Sequence, residues 1–279
     1  MKYQKTLLSL LVAASFGGAS SFAQTAPAAD APAAAADPVS TMTYNVGVVN
    51  DYRYRGLSQS GKKPALQFGA DYTDKSGLYV GTWNSTIEWI KDTSLSPTAK
   101  GPLETDIYGG YRGGITGDLT YDVGVLEYLY ATNNLGGISG STNANTTEVY
   151  GSLIYGAAYA KLSDSTSNLF GTQNSKGSTY LDLGYTFDFG NGLTSAVHYG
   201  NQTIKAVSPA PLNSVTAYND YSLGLSKDFD GIVLSGTYIT TDYSKRGAHS
   251  RYMLPGTGSG TGGRDLGGSG FVVGLKKNF

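Results

Sequence analysis

Charged and aromatic residues alternate in the segment Asp51-Tyr52-Arg53-Tyr54-Arg55, which concentrates chemically active side chains. In an extended strand, this alternation places the carboxylate and both guanidinium groups on one face and the tyrosines on the other. Such a face can hold ion pairs, or it can create a field that acts on charged solutes. Acidic and basic residues recur in later alternating segments, so the elements that carry them decide what this chemistry does.

Catalytic and metal chemistry have few candidate residues. The chain has two histidines, His198 and His249, and no cysteine. A hydrolase needs a nucleophile, a base and an orienting group within hydrogen-bond reach, and no Gly-x-Ser-x-Gly motif accompanies either histidine. The two histidines also lack the spacing of a metal site. We therefore predict no catalytic residues, no metal and no cofactor.

The composition excludes several classes of protein. The 279 residues include 39 glycines and 33 aromatic residues, and 15% are charged. Glycine stands at about twice its usual ~7% share without a collagen period, and the aromatic content argues against a disordered chain. Without Lys2 and Lys5, the chain has 18 basic and 21 acidic residues. Nucleic acid is therefore excluded as a predicted partner.

The first 42 residues have the composition of an export leader and a linker. Lys2 and Lys5 precede an apolar run over 7–16, and Ser21-Phe22-Ala23 forms a small-x-small cleavage site. We predict a signal peptide over 1–23, which exports the chain. Residues 24–42 are almost entirely Ala, Pro, Asp, Ser and Thr, and we predict a disordered linker there.

From Thr43 to the last residue the apolar period is 2, which indicates strands rather than helices. In the segment 103–112, for example, Leu103, Ile107 and Tyr111 oppose charged residues. The predicted strands are 44–55, 64–74, 78–86, 103–112, 119–130, 147–156, 158–164, 178–188, 193–203, 219–228, 232–242 and 270–279.

The connections between these segments alternate between long and short. Short connections carry turn residues, such as Gly190-Asn191-Gly192 and Asp230-Gly231. An outer-membrane barrel has this arrangement, because its periplasmic turns are short and its external loops are long. We therefore predict that 43–279 forms an all-β, closed antiparallel up-and-down transmembrane barrel of about twelve strands in the Gram-negative outer membrane.

Aromatic residues stand near both ends of the apolar faces, where a bilayer favours rings with polar tips. The opposite faces of the strands then line a lumen. Three charged residues, Glu127, Lys227 and Lys277, fall on the lipid-facing side instead, but they lie near strand ends, where long charged side chains are tolerated. For Glu127, a bulge in the strand is an alternative explanation. The predicted girdle residues are Tyr44, Tyr72, Tyr111, Tyr121, Phe187 and Phe279 at the turn end, and Tyr52, Tyr54, Tyr199, Tyr221 and Tyr238 at the loop end.

The charged faces supply the predicted pore lining. Opposed charges across a constriction would select solutes by charge, whereas the alternative is that these charges only pair with each other and fill the interior. The acidic excess favours mild cation preference. The predicted pore-lining residues are Asp51, Arg53, Arg55, Glu104, Asp106, Arg112, Glu148, Asp182 and Asp220.

The glycine-rich stretch 254–270 lacks the Gly-Lys-Ser/Thr ending of a phosphate-binding loop. We interpret it as part of a solvated external loop, with contact to lipopolysaccharide phosphates or inward folding as a plug as alternatives. Its basic residues, with those just before it, are Lys245, Arg246, His249, Arg251 and Arg264.

Several segments are similar to a known family. The sequences YNVGVVNDYRYRGLSQSGKKPALQFGADYTDKSGLYVGTW (44–83), TEVYGSLIYGAAYAKLS (147–163) and the terminal VVGLKKNF resemble the TorF-family porins, also described as the proteobacterial Gcw_chp outer-membrane family. Phe279 resembles the C-terminal signal that barrel-assembly machinery recognises, although Lys277 departs from its pattern. The resemblance implies a pore but names no solute.

The predicted function is a porin-like outer-membrane channel for passive diffusion of small polar or charged solutes. The first alternative is a closed barrel with a structural, adhesive or ligand-binding role through its external loops. The second is a membrane-embedded hydrolase that uses His198 or His249. Predicted partners are outer-membrane lipid, lipopolysaccharide, small polar solutes and the assembly machinery.

Overall fold

The structure is a computed structural model that describes residues 40–93, 98–138, 141–205, 217–243 and 265–279. The predicted signal peptide and most of the predicted linker lie outside the described residues. The first strand begins at Thr41, so it includes the last two residues of the segment predicted as linker.

Within these described ranges, twelve antiparallel strands form a closed barrel in which chain neighbours pair and the first strand meets the last. The strands are β1 (Thr41–Val49), β4 (Ala65–Thr73), β5 (Leu78–Thr86), β6 (Leu103–Thr116), β7 (Leu119–Leu129), β8 (Thr146–Tyr155), β9 (Ala158–Ser165), β10 (Thr179–Asp188), β11 (Leu193–Thr203), β12 (Ala217–Phe229), β13 (Ile232–Thr241) and β14 (Gly270–Asn278). The predicted fold is thereby confirmed.

Shorter elements lie in the connections. A two-stranded hairpin, β2 (Arg53–Tyr54) and β3 (Leu57–Ser58), follows β1, and the helix α1 (Trp89–Thr93) follows β5. Two short 3₁₀ turns cover Leu135–Gly137 and Leu169–Gly171. No helix in the described ranges is both long enough and apolar enough to cross a bilayer.

The prediction of the first strand, 44–55, is wrong at the C-terminal end of the strand. The strand β1 stops at Val49, and residues 50–64 leave the wall as a loop that contains β2 and β3. The period-2 pattern continues through this loop because a hairpin has the same alternation as a strand. We call residues 50–64 loop 1.

All short connections lie at one end of the barrel, called the turn end, and the long connections lie at the loop end. The turns cover 74–77, 117–118, 156–157, 189–192 and 230–231. Asp230 and Gly231 both have positive φ, at 53° and 82°, as the tight hairpin turn between β12 and β13 requires. In the turn 74–77, hydrogen bonds from Ser76 and Ser40 lower the pKa of Asp74 to about 2.

The outer face of the barrel is apolar. Val46, Leu66, Val123 and Leu223 are all exposed, and the same pattern runs around every strand. Water disfavours such a continuous apolar exterior, whereas hydrocarbon accepts it. This exterior is that of a membrane-spanning barrel.

Aromatic residues border this exterior at both ends, with two exceptions to the predicted girdles. Tyr52 and Tyr54 are buried, because they lie in loop 1 inside the barrel mouth rather than on the lipid face. The girdle residues that are exposed are Tyr44, Tyr72, Tyr111, Phe187 and Phe279 at the turn end, and Tyr221 and Tyr238 at the loop end; Tyr121 and Tyr199 are partly exposed.

The charged residues on the outer face reach partners near the strand ends. The Lys277 ammonium donates to the Asp230 carbonyl at 3.0 Å, and Lys227 donates to the Asn191 carbonyl. Glu127 accepts a hydrogen bond from Thr147 on the neighbouring strand. The pairing around Glu127 is regular, and the shift in register on that strand pair lies between Gly114 and Thr116.

The closing seam between β1 and β14 is short, because β1 turns inward after Val49. Five residue pairs join the strands, from Asn45 with Asn278 to Val49 with Gly274. The Asn50 side chain extends this ladder: its amide donates to the Phe271 carbonyl at 3.1 Å, and its carbonyl accepts from the Val273 amide at 2.8 Å. Asn50 thus satisfies two backbone groups that would otherwise face lipid unpaired.

We predict that Asn50→Ala weakens the closed barrel by about 1–3 kcal/mol, because it leaves two backbone groups of β14 without partners. Thermal unfolding of the detergent-purified chain, followed by heat-modifiable gel mobility, measures this change. Asn278→Ala is the matched control, since the described residues give its side chain no hydrogen bond. Equal unfolding temperatures for the two variants would contradict the proposed role of Asn50.

Candidate functional site

Loop 1 folds into the barrel at the loop end. Its hairpin pairs Arg53 with Ser58 and Tyr54 with Leu57, so Arg55 and Gly56 form the tip. Both tip residues have positive φ, at 47° and 77°, as in a type I′ turn. A non-glycine residue rarely adopts this conformation, so the surrounding contacts must hold Arg55 there.

Gly56 brings the hairpin tip against the inner wall of the barrel at β12 and β13. A Cβ atom at this position would lie 2.3 Å from the Thr241 Cγ2 atom and 2.7 Å from the Asp220 Cβ atom. Only glycine therefore fits between the tip and the strands β12 and β13. The Arg55-Gly56 pair is the sequence signal for a hairpin turn that the prediction of a continuous strand missed.

Asp51 and Arg53 hold loop 1 in shape. The Arg53 Nε atom lies 2.7 Å from the Asp51 Oδ2 atom, and both side chains are buried. The Arg53 Nη1 atom also donates to the carbonyls of Gly56 at 3.0 Å and Gly268 at 2.8 Å. The charges of Asp51 and Arg53 therefore serve contacts within loop 1 and with the segment before β14.

Arg55 crosses the interior to the opposite strands. Its Nη2 atom donates to both carboxylate oxygens of Glu148 on β8, at 2.9 and 2.7 Å, and its Nη1 atom donates to the Gln202 amide oxygen on β11. The guanidinium carbon lies 4.7 Å from the centre of the Tyr54 ring and 4.3 Å from that of Tyr180. This is a buried ion pair in which one guanidinium nitrogen contacts both carboxylate oxygens, with two cation–π contacts.

Glu104 and Asp106 lie side by side on the inner face of β6 and are buried. The Tyr52 hydroxyl of loop 1 donates to the Glu104 Oε1 atom at 2.7 Å. The ring of Tyr52 also packs on Trp83 of β5, with centroids 5.3 Å apart. Loop 1 therefore contacts the wall on both sides of the interior.

Asp182 and Asp220 enclose His198. The Nδ1 atom of His198 lies 2.9 Å from the Asp182 Oδ1 atom, and its Nε2 atom lies 2.8 Å from the Asp220 Oδ1 atom. The hydroxyls of Tyr159 and Tyr180 donate to Asp182 and Asp220 respectively. His198 thus contacts carboxylates and a tyrosine rather than a serine nucleophile, an arrangement that does not favour the hydrolase hypothesis.

Arg112 lies further toward the turn end. Its Nε atom is 3.2 Å from the Asp122 Oδ2 atom, and its guanidinium carbon lies 4.2 Å from the centre of the Tyr79 ring. The Arg112 side chain is 26% exposed, whereas Glu148 is only 2% exposed. Arg112 is therefore more accessible to solvent than Glu148, although its partners Asp122 and Tyr79 are buried.

Aromatic rings complete the filling of the loop end. Phe170 contacts Tyr54 of loop 1 and Tyr128 of β7 at centroid distances of 5.5 and 5.1 Å, in edge-to-face geometry. Trp89 of α1 packs edge-to-face on Tyr130 at 5.2 Å. A small, partly open cavity remains between these rings, Arg55 and Gln202.

The structure places the nine predicted pore-lining residues inside the barrel wall or in loop 1, and their role in lining a pore stays a prediction. The sequence missed their pairing partners, which are Tyr52, Tyr54 and Tyr180 in particular, because alternation gives the face of a residue but not its cross-barrel contacts. The five basic residues of the longest loop, His249 among them, lie outside the described residues. Within the described ranges, no cluster of three or more His, Cys, Asp or Glu residues could hold a metal ion.

We predict that Gly56→Ala displaces loop 1 while the barrel itself stays closed, because the added Cβ clashes with β12 and β13 and a positive φ disfavours alanine. The expected result is faster proteolytic cleavage within 50–64 in the folded, heat-modifiable protein. Gly114→Ala is the matched control, since no atom lies within 4 Å of a Cβ there. An unchanged cleavage rate in Gly56→Ala would contradict the docking of loop 1.

The chain matches one protein family and is similar in structure to several known β-barrels. A family profile described as "Bacterial protein of unknown function (Gcw_chp)" matches residues 33–279. No curated protein matches the chain. Among solved structures, a KdgM porin is 8% identical and covers 86% of this chain and 99% of its own, with a TM-score of 0.46. A NanC porin is 11% identical with the same coverages and a TM-score of 0.49. LpxR from Salmonella typhimurium is 10% identical, covers 85% and 99%, and has a TM-score of 0.42.

Proposed function

The chain belongs to the Gcw_chp family of bacterial proteins, and we propose from its geometry that it is a porin-like outer-membrane channel. Small polar or charged solutes diffuse passively through it. The observation that carries this proposal is a closed barrel with an apolar exterior and a charged interior. A barrel built only for structural support needs no charged interior, whereas a channel for polar solutes does. The narrower resemblance to TorF porins is consistent with this function.

Loop 1 is the constriction of the proposed channel. It places Tyr52, Tyr54 and Arg55 across the loop end, and the carboxylates of Glu104 and Glu148 lie against it. Solutes must pass these groups to reach the turn end. The nine predicted residues then divide into two roles: Asp51 and Arg53 support loop 1, and the remaining residues line or flank the path.

A closed barrel with a binding, adhesive or structural role through its loops is the second candidate. The observation that favours it is the packing of loop 1 and the aromatic rings, which leaves the loop-end charges almost fully buried. The two candidates differ in whether loop 1 leaves this position.

We further propose that lipopolysaccharide contacts the basic external loop and that assembly machinery recognises Phe279.

We predict discrete conductance steps when the purified chain is inserted into planar lipid bilayers, because a polar lumen supports ion flow once loop 1 moves. Heat-modifiable mobility on gels confirms that the inserted protein is folded. Folded protein that stays silent over the full voltage range would refute the channel and support the closed barrel. The Gly56→Ala variant should conduct more than the wild type, since its loop 1 is displaced.

We predict mild cation preference in reversal potentials measured under a KCl gradient, because carboxylates outnumber cationic groups around the constriction. The double variant Asp182→Asn/Asp220→Asn should shift the reversal potential toward zero. Asp118→Asn/Asp230→Asn, at two exposed turn residues, is the control for an equivalent loss of charge. Anion preference in the wild type would contradict the proposed selectivity.

A further inference from the structure

Arg55 occupies a set of wall residues that together have the features of a cation-binding site. Glu148 of β8 supplies two carboxylate oxygens, Gln202 of β11 supplies an amide oxygen, and Tyr180 of β10 supplies a ring face. We call Glu148, Tyr180 and Gln202 the cage. All three residues are buried and are fixed on barrel strands rather than on loops.

The cage matches a planar guanidinium group better than a simple ammonium ion. A guanidinium group presents a fork of N–H donors to a carboxylate, and its flat face stacks on an aromatic ring. Here the two Nη atoms reach two different strands: Nη2 donates to both Glu148 oxygens, and Nη1 donates to the Gln202 amide oxygen. The guanidinium carbon lies over the Tyr180 ring, 4.3 Å from its centre. A single ammonium nitrogen could not make both sets of hydrogen bonds from two atoms at a fixed separation. The side chain that fills the cage is therefore a structural analogue of a small guanidinium ligand.

The neighbourhood of the cage attracts a cation after Arg55 leaves. Tyr180 donates to Asp220, and Asp220 and Asp182 enclose His198. The ammonium of Lys161, on the neighbouring strand β9, lies over the Tyr150 ring at 4.0 Å from the centroid. Without Arg55, Glu148 becomes a buried carboxylate without its cation, which is unfavourable enough to favour a replacement.

Arg55 is also a removable occupant. It lies at the tip of a hairpin in a connection, at a positive φ of 47°, whereas the cage lies on the wall. A ligand that competes for the cage gains the same hydrogen bonds and releases the backbone of Arg55 from an unfavourable conformation. The same displacement moves loop 1, which is the proposed constriction.

We infer that the cage is a binding site for small guanidinium-type organic cations, and that Arg55 is an internal competitor whose displacement by such a solute opens loop 1. This inference rests on the proposed channel function and names the chemical class of its solute. Binding to the cage is measured independently of conductance, so the two ideas can fail separately.

The chain contains a built-in reporter of loop 1. Its two tryptophans, Trp83 and Trp89, both lie beside this loop. Trp83 packs on Tyr52, and the backbone amide of Trp89 donates to the Gln59 carbonyl at 2.9 Å. Displacement of loop 1 therefore changes the surroundings of both indole rings, and the fluorescence emission of the chain reports it.

The experiment titrates the folded, detergent-purified chain with methylguanidinium chloride and follows tryptophan emission. Ionic strength is held constant with sodium chloride, and urea serves as a neutral planar control at the same concentrations. The wild type should show a saturable change with methylguanidinium and none with urea. Arg55→Ala should bind methylguanidinium at least about tenfold more tightly than the wild type, because the competing Arg55 side chain is absent. In planar bilayers, bound methylguanidinium should reduce the conductance of Arg55→Ala.

Matched variants make the result specific. Arg55→Ala/Glu148→Gln should lose methylguanidinium binding, because the carboxylate of the cage is gone. Lys63→Ala removes a half-exposed cation from the same loop and should keep the wild-type affinity. Arg55→Lys keeps the charge but loses the planar fork, so its affinity for methylguanidinium should lie between those of the wild type and Arg55→Ala; it also decides the question if Arg55→Ala fails to fold.

The inference is overturned if Arg55→Ala or Arg55→Lys binds methylguanidinium no more tightly than the wild type, or if the Glu148→Gln substitution leaves binding intact. Conductance without cage binding would overturn the inference and leave the channel standing. Cage binding in a protein that never conducts would overturn the channel and the solute role together, and would leave the closed barrel with a ligand site.

Discussion

The closure of the sheet is the constraint on which the rest of this structure depends. A strand in hydrocarbon cannot leave its backbone amides and carbonyls unpaired, since each unpaired group is unfavourable by several kcal/mol. Twelve strands satisfy this constraint by pairing around a ring. Where β1 ends too early to complete the last pairing, the side chain of Asn50 imitates a backbone peptide and completes it.

The early end of β1 also determines the loop-end interior. A strand that continued to residue 55 would have placed Tyr52 and Tyr54 in lipid and Arg53 and Arg55 along the wall. Instead, the chain turns inward and brings both tyrosines and both arginines into the barrel mouth. Tyr52, Tyr54 and Arg55 find acidic and aromatic partners on other strands, and Arg53 pairs with Asp51 of loop 1. The polar interior is therefore assembled from the wall and from a segment that crosses it.

The barrel, its twelve strands and the inward direction of its charged residues could be predicted from the sequence, because a period of 2 determines which face each side chain takes. Leu103, Ile107 and Tyr111, for instance, lie on the opposite face from Glu104, Asp106 and Arg112. The contact of Arg55 with Glu148 could not be predicted in this way. It joins residues 93 positions apart through a loop whose path depends on Gly56 fitting against Thr241 and Asp220. Alternation carries no information about such distant partners, and it does not distinguish a strand from a hairpin.

The position of loop 1 in the chain has a consequence for assembly. Loop 1 is the first connection to be synthesised, yet its tip rests on β12 and β13, which come more than 160 residues later. Contacts between such distant segments form slowly, because the intervening chain must first be ordered. The tip of loop 1 can therefore reach its contacts on β12 and β13 only after those strands have joined the wall. Full docking of the hairpin thus depends on the part of the barrel that is synthesised last.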